Sequence, residues 1–102
     1  MNNSLFVFEQ GHVSITFVNG YRISMTNYSC AHCDYNSLRS DIHRSVSFNV
    51  EVMIFDPSMN DITKVFFKDA SPDAGHIDSA GIAIIINKLR YYKDSFTKED
   101  LE

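Results

Sequence analysis

Glycine is scarce in this 102-residue chain: there are four, all isolated, so no Gly-rich loop is available to cradle a phosphate. Long apolar runs are missing too. None reaches the ~18 residues of a membrane span, and the first residues lack the basic-then-apolar pattern of a secretion signal. No membrane contact is therefore expected, and the expected location is the cytoplasm. A basic surplus is also absent, with a net charge of −4 and a pI near 5.4. That balance makes nucleic acid an unfavoured partner, because phosphate-backbone binders carry an excess of Lys and Arg on one face. The 13 acidic residues, Asp69, Asp73 and Asp78 among them, read as a solvated surface.

What is present is a globular composition. The 44% apolar and 13% aromatic content, with 22% charged residues, confines disorder to the ends. A chain of this length forms one domain and buries about 65% of the surface its unfolded form exposes. The domain is expected over residues 1–93, with 94–102 a flexible C-terminal tail whose last two residues, Leu101-Glu102, have the form of a cloning scar.

The most informative stretch runs from His12 to Thr26. Val13, Ile15 and Phe17 alternate before Asn19-Gly20, and Tyr21, Ile23 and Met25 alternate after it. A two-residue loop would pair Phe17 with Arg22 and mix the faces. A three-residue loop, Val18-Asn19-Gly20, pairs Phe17 with Tyr21, Ile15 with Ile23 and Val13 with Met25, and gathers all six on one side. The expectation is a type I turn with Gly20 left-handed as a bulge residue.

Leu5 to Glu9 reads as a preceding strand, joined by a tight Gln10-Gly11 turn that sets Phe8 against Val13 and Phe6 against Ile15. Asn27 to Arg44 is polar and aperiodic, a long loop with room for one helical turn near Ser37 to Ile42. Ser45 to Asp56 alternates cleanly, Val46, Phe48, Val50, Val52 and Ile54 forming the expected core side of a central strand. Turn residues occupy Asp56 to Asp61, and Ile62 to Lys68 returns as an extended piece. Asp69 to His76 reads as a loop. Asp78 is placed to cap a helix, Ile77 to staple against Ile82, and Ile82, Ile85, Ile86 and Leu89 follow helical spacing up to Tyr92 or Lys93. A strand through the β-branched run Gly81 to Ile86 is the competing reading.

The expected fold is α+β, a four-stranded antiparallel sheet with one C-terminal helix packed on one face. The core side should hold Phe6, Phe8, Val13, Ile15, Phe17, Ile23, Val50, Val52, Ile54 and the helix stripe. Leu5, Val7, Val18, Met53, Phe55 and Phe66 remain for the other side. That set is apolar enough to suggest an interface, with a homodimer through the uncovered sheet face as the expected use, and the long loop folding over it as the alternative.

Cys30-Ala31-His32-Cys33 is the one chemically suggestive cluster. Two thiolates and His43 give a three-ligand zinc set (Cys30, Cys33, His43) that His76, His12 or Asp34 could complete only through the fold, since no second C-x-x-C and no H-x-x-x-H accompanies it. Plain loop cysteines, a zinc module and a redox pair or disulfide stay open. A small Cys/His hydrolase built on Cys30 or Cys33 with His43 lacks any nucleophile elbow or oxyanion loop, so an enzyme is not the expectation. Tyr21, Tyr28 and Tyr35 with Arg22, Arg39 and Arg44 could be drawn as a stacking platform, against the overall charge.

The run from Ile15 to Ser24, the Tyr- and Cys-bearing loop, the segment Val50-Glu51-Val52-Met53-Ile54-Phe55-Asp56 and the closing helix together resemble a group of short uncharacterised proteins encoded by bacteriophages. In that group a strand ending F-x-N-G-Y, an I-S on the return and a later E-V/I-A-I-F/W-D segment recur. The similarity spans Val13 to Tyr92 and departs at Met53, where a small residue is usual, and in the longer cysteine-bearing loop. It carries no catalytic residues. What it implies is a setting: an accessory protein that binds and blocks a host protein machine such as a restriction or CRISPR effector in the host cytoplasm; no cofactor is expected beyond the zinc left open above.

Overall fold

Phe17 N–H donates to the Tyr21 carbonyl and Gly20 N–H to the Phe17 carbonyl, both at 2.8 Å, which closes the three-residue turn expected from parity. Gly20 has φ +90°, and a Cβ there would lie 2.9 Å from Cβ of Pro57. Both the backbone conformation and the space require glycine. The structure, a computed structural model, describes residues 5–29, 31, 33–67 and 74–91. Within them the chain builds β1 (Leu5–Glu9), β2 (His12–Thr16), β3 (Arg22–Thr26), β4 (Val50–Phe55), α1 (Thr63–Phe66), β5 (Ala74–Ile77) and α2 (Ser79–Leu89).

The strands form one antiparallel sheet in the order β1-β2-β3-β4-β5, with α2 near its middle strand β3. The fold is therefore α+β, with five strands where four were expected. Pairing of Phe8 with Val13, Phe6 with Ile15, Ile15 with Ile23 and Val13 with Met25 follows the register read from alternation. The Asp78 carboxylate accepts from Gly81 N–H at 2.9 Å, so the helix start also stands where the cap residue put it. The strand alternative for Gly81 to Ile86 is excluded. Tyr92, Lys93 and the tail from Asp94 lie outside the described residues.

Three expectations need correction. Ile62 to Phe67 is not extended: Thr63 begins a single helical turn, because its hydroxyl donates to Asp61 Oδ1 at 2.6 Å and accepts from Ile54 N–H at 3.0 Å. The turn lets neighbours Phe66 and Phe67 both reach the core, their rings edge-on with centroids 5.1 Å apart, which consecutive strand residues cannot do. While Asp69 to Asp73 lie outside the described residues, Ala74 to His76, the end of the expected loop, join Ile77 in a fifth strand. It pairs Val50 with Ile77 and Val52 with Ala74 across a bulge, and His76 takes the extra position at φ +56°. Finally, β4 starts only at Val50. β3 ends opposite Glu51, so residues 45–49 have no ladder to join and bond instead to the long loop, Asn49 holding Asp34 and Ser45 holding Asn27. Residues 37–42 form turns and no helix.

The core is Ile23, Val52, Ile54, Phe66, Phe67, Ala74, Ile77, Ile85 and Leu89, with Ile15, Phe17, Val50, Ile82 and Ile86 partly buried against it. Asn19 joins the sheet to the helix: its amide nitrogen donates to the carbonyls of Leu89 and Arg90 at 3.0 and 3.1 Å, while its oxygen accepts from Tyr21 N–H. Two of the orphan carbonyls at the end of α2 are thus satisfied by the β2–β3 turn.

Asn19→Ala should cost about 1–2 kcal/mol, roughly 1 per bond. Asn19→Asp should cost more, since a carboxylate cannot donate and meets the negative end of the helix dipole. Denaturant unfolding of the three proteins checks that order, and an Asp variant as stable as the parent would remove the clamp.

In the β4–α1 turn, the backbone N–H and side chain of Asn60, then Ser58 N–H, hold the Asp56 carboxyl below its ordinary value against a smaller opposing desolvation effect. A lowered carboxyl stabilises the turn above its ordinary pKa, and that contribution fades as pH falls through the lowered one. An NMR titration of Asp56 should show a midpoint that rises in Asn60→Ala.

Candidate functional site

The helix side of the sheet is only partly covered. An α-helix is about 10–12 Å across, whereas five strands at ~4.8 Å span about 19 Å between the outer two. α2 starts directly after β5 and ends at the β2–β3 turn, leaving β1 uncovered and Ile15 of β2 only partly buried. Phe6 and Phe8, expected in the core, are 60% and 76% exposed. Their register and facing are as read from the sequence; among the described residues α2 does not reach them, and the long loop approaches only the Phe8 end. The two rings lie parallel, 7° apart with centroids at 6.2 Å.

Hollows flank this strip. One of about 350 Å³ is lined by Phe8, Val13, Met25 and Val50 beneath His43 and Arg44 of the long loop. A second, about 270 Å³, shares Met25 and Val50 and runs from exposed Phe48 to Ile82. A third, about 370 Å³, lies between Phe17 and Ile86 beside Arg90 and Tyr91. The second and third border α2, at Ile82 and Ile86, and the first lies between the sheet and the long loop.

The other side of the sheet is not the apolar face expected. The register sets Leu5, Thr16, Arg22 and Phe55 in one row and Val7, Ser14, Ser24 and Met53 in the next. The apolar members stand on β1 and β4, with the polar residues of β2 and β3 between them. Phe66 is not there at all: it is fully buried in the core, carried by α1. Val18 is exposed but belongs to the turn. Arg22 sets its guanidinium 5.6 Å from the Phe55 ring centroid, a cation–π contact that covers one of the remaining apolar groups.

This polar middle contains a Ser–His–carboxylate array. His12 Nε2 shares a 2.6 Å hydrogen bond with Ser24 Oγ, and His12 Nδ1 lies 3.7 Å from Glu9 Oε2. The sequence order of these residues carries no recognised spacing, so alternation within the sheet is the only signal that could have found them. The array lacks what acyl transfer needs. Ser24 is 7% exposed, and 3.7 Å is too long for the orienting hydrogen bond. β3 is flanked by β2 and β4, so its amides serve ladders on both sides and cannot stabilise an oxyanion. The array is a polar bridge between strands.

The cysteine loop gives no completed metal site among the described residues. Cys33 is half-buried, its Sγ donating to the Tyr28 carbonyl at 3.7 Å, and His43 is exposed in the Asp41–Arg44 turn. No three His, Cys, Asp or Glu side chains converge among the described residues. Cys30 and His32 lie outside them. His76 is 3.6 Å from Asp34, tying β5 to the loop. The Tyr and Arg residues do not form one platform: Tyr21 packs on the core and Arg22 points to the other side, while Tyr28 and Tyr35 meet edge-on in the loop. Among the described residues no helix is long and apolar enough to cross a membrane.

No family model, curated protein or solved structure matches the chain.

The exposure pattern reverses the energetic ranking that alternation implies. Phe66→Ala should cost about 3–5 kcal/mol as a fully buried ring is deleted, and Phe8→Ala less than about 1. Thermal or urea unfolding of the two variants measures the difference.

Proposed function

We propose that the protein is a non-catalytic binding module that docks a protein partner on the bare β1–β2 half of its sheet. The observation that carries this reading is the pair Phe6 and Phe8, 60% and 76% exposed on the side of the sheet that also holds the core. At ~200 Å² per ring, the pair shows about 270 Å² of apolar surface. Covering it is worth about 7 kcal/mol before the costs of association, enough to anchor a specific contact. Exposed aromatics with half-buried aliphatics around them form the kind of central patch that dominates protein interfaces.

The partner class comes from the resemblance to phage accessory proteins. It is a host protein machine of the restriction or CRISPR effector kind, blocked by occupancy and not by chemistry. The surface differs from the one the alternation pattern first suggests: the Leu5, Val7, Met53 and Phe55 side has a polar middle, whereas the helix side is apolar where it is open.

Tagged protein used as bait in bacterial lysate should enrich at least one host protein that the Phe6→Ser/Phe8→Ser double variant loses. With that partner purified, affinity should fall at least tenfold. The same proteins recovered equally by both baits, or a loss seen only with Met53→Ser, would overturn the assignment of the surface.

A further inference from the structure

We propose that β1 is a self-pairing edge, through which two copies of the chain join antiparallel about a two-fold axis at Val7 to make one continuous sheet. The seam uses backbone groups at the sheet margin and leaves the ring faces upward, so it stands apart from the docking reading.

The hydrogen-bond phase of the sheet identifies the free groups. Phe17 N–H bonds the Tyr21 carbonyl, so Phe17, Ile15 and Val13 share their bonds with the strand that follows the turn. His12, Ser14 and Thr16 must then turn theirs toward β1, where they meet Glu9, Val7 and Leu5. Phe6 and Phe8 are left with N–H and C=O directed outward, past the last strand among the described residues. A two-fold axis at Val7 sets Phe6 of one copy opposite Phe8 of the other, twice over. Each pair closes both of its N–H···O=C bonds. No other antiparallel register satisfies both residues within the strand.

The side chains agree with that register. It brings the stacked Phe6–Phe8 rings of each copy into cross-strand contact on one side, and Val7 meets Val7 on the other. The only charge in β1 is Glu9. In the paired form the two Glu9 residues fall at opposite ends of the seam, about 14 Å apart at ~3.4 Å per residue, beyond the ~8 Å screening length.

The two margins of the sheet also differ. β5 is short, bulged and bent by left-handed His76, which are recognised ways of blunting an edge. β1 has no lysine, proline or bulge. Edge-to-edge pairing covers the margin of β1 and leaves the ring faces open, so the seam is smaller than the roughly 800 Å² per partner of a standard interface. Association is therefore concentration-dependent. Two bare half-sheets then form one floor carrying the four rings, with an α2 helix along each side.

The test uses the protein alone, so its outcome is independent of any partner. In a Cys30→Ser/Cys33→Ser background, Val7→Cys places the two thiols across the axis at ~4.5 Å between Cα atoms, within disulfide reach. Mild oxidation should give a disulfide-linked dimer of Val7→Cys, and much less from Leu5→Cys or Leu38→Cys; the yield should collapse in denaturant. Sedimentation equilibrium of the unmodified chain should show mass rising from 11.7 kDa toward twice that value with concentration. Phe8→Pro deletes an outward N–H without touching the β1–β2 ladder, and should hold the protein monomeric. Cross-linking of Val7→Cys no greater than of Leu38→Cys, or a strict monomer at millimolar concentration, would overturn the proposal.

Discussion

One carboxamide, that of Asn19, fixes where the helix can lie. The turn that folds β2 onto β3 also supplies the donors that end α2, so the helix must cross from the end of β5 to that turn. Gly20 seats the same turn against Pro57, which ties it to the β4–α1 connection as well. With both helix ends held, by Asp78 at the start and Asn19 at the finish, coverage of the sheet is decided. The strands from β3 to β5 gain a roof and the β1–β2 hairpin does not.

The parts of the fold legible in the sequence are those set by neighbours along the chain. Parity across Val18-Asn19-Gly20 gave the turn length, Gln10-Gly11 gave the first hairpin register, and Asp78 with Ile77 marked the helix start. What escaped depends on contacts between distant segments. Val46 and Phe48 alternate as well as Val50 and Val52 do, but β3 is too short to pair with them. Thr63, Val65 and Phe67 also alternate, and only the hydroxyl bonds of Thr63 to Asp61 and Ile54 reveal a helical turn. β5 was hidden because Gly75 and the left-handed His76 interrupt any period of two. The candidate surface was half legible: Phe6 and Phe8 could be placed on the correct side, but whether a helix reached them was a question of width and not of pattern.

The two sides of the sheet have different capacities. Beside α2 the open surface is apolar and bordered by hollows, the chemistry of a contact area. Behind it, Ser14, Ser24, His12 and Arg22 separate the apolar residues of β1 from those of β4, with His12 bonded to Ser24 and Arg22 set over the Phe55 ring. The long loop adds a rim, held by the side-chain amides of Asn27, Asn36 and Asn49.

The Asn19 clamp spans some 70 positions of the chain. Closing a segment that long carries an entropic cost of about 4 kcal/mol, whereas the β1–β2–β3 meander needs only two tight reversals. Assembly is therefore ordered in time. The meander can form within microseconds from contacts close in sequence, and the arrival of α2 upon it is the slow, committing event. Until then the future interior and the surface that stays open are equally bare, and a nascent chain leaving a ribosome would have to shield both.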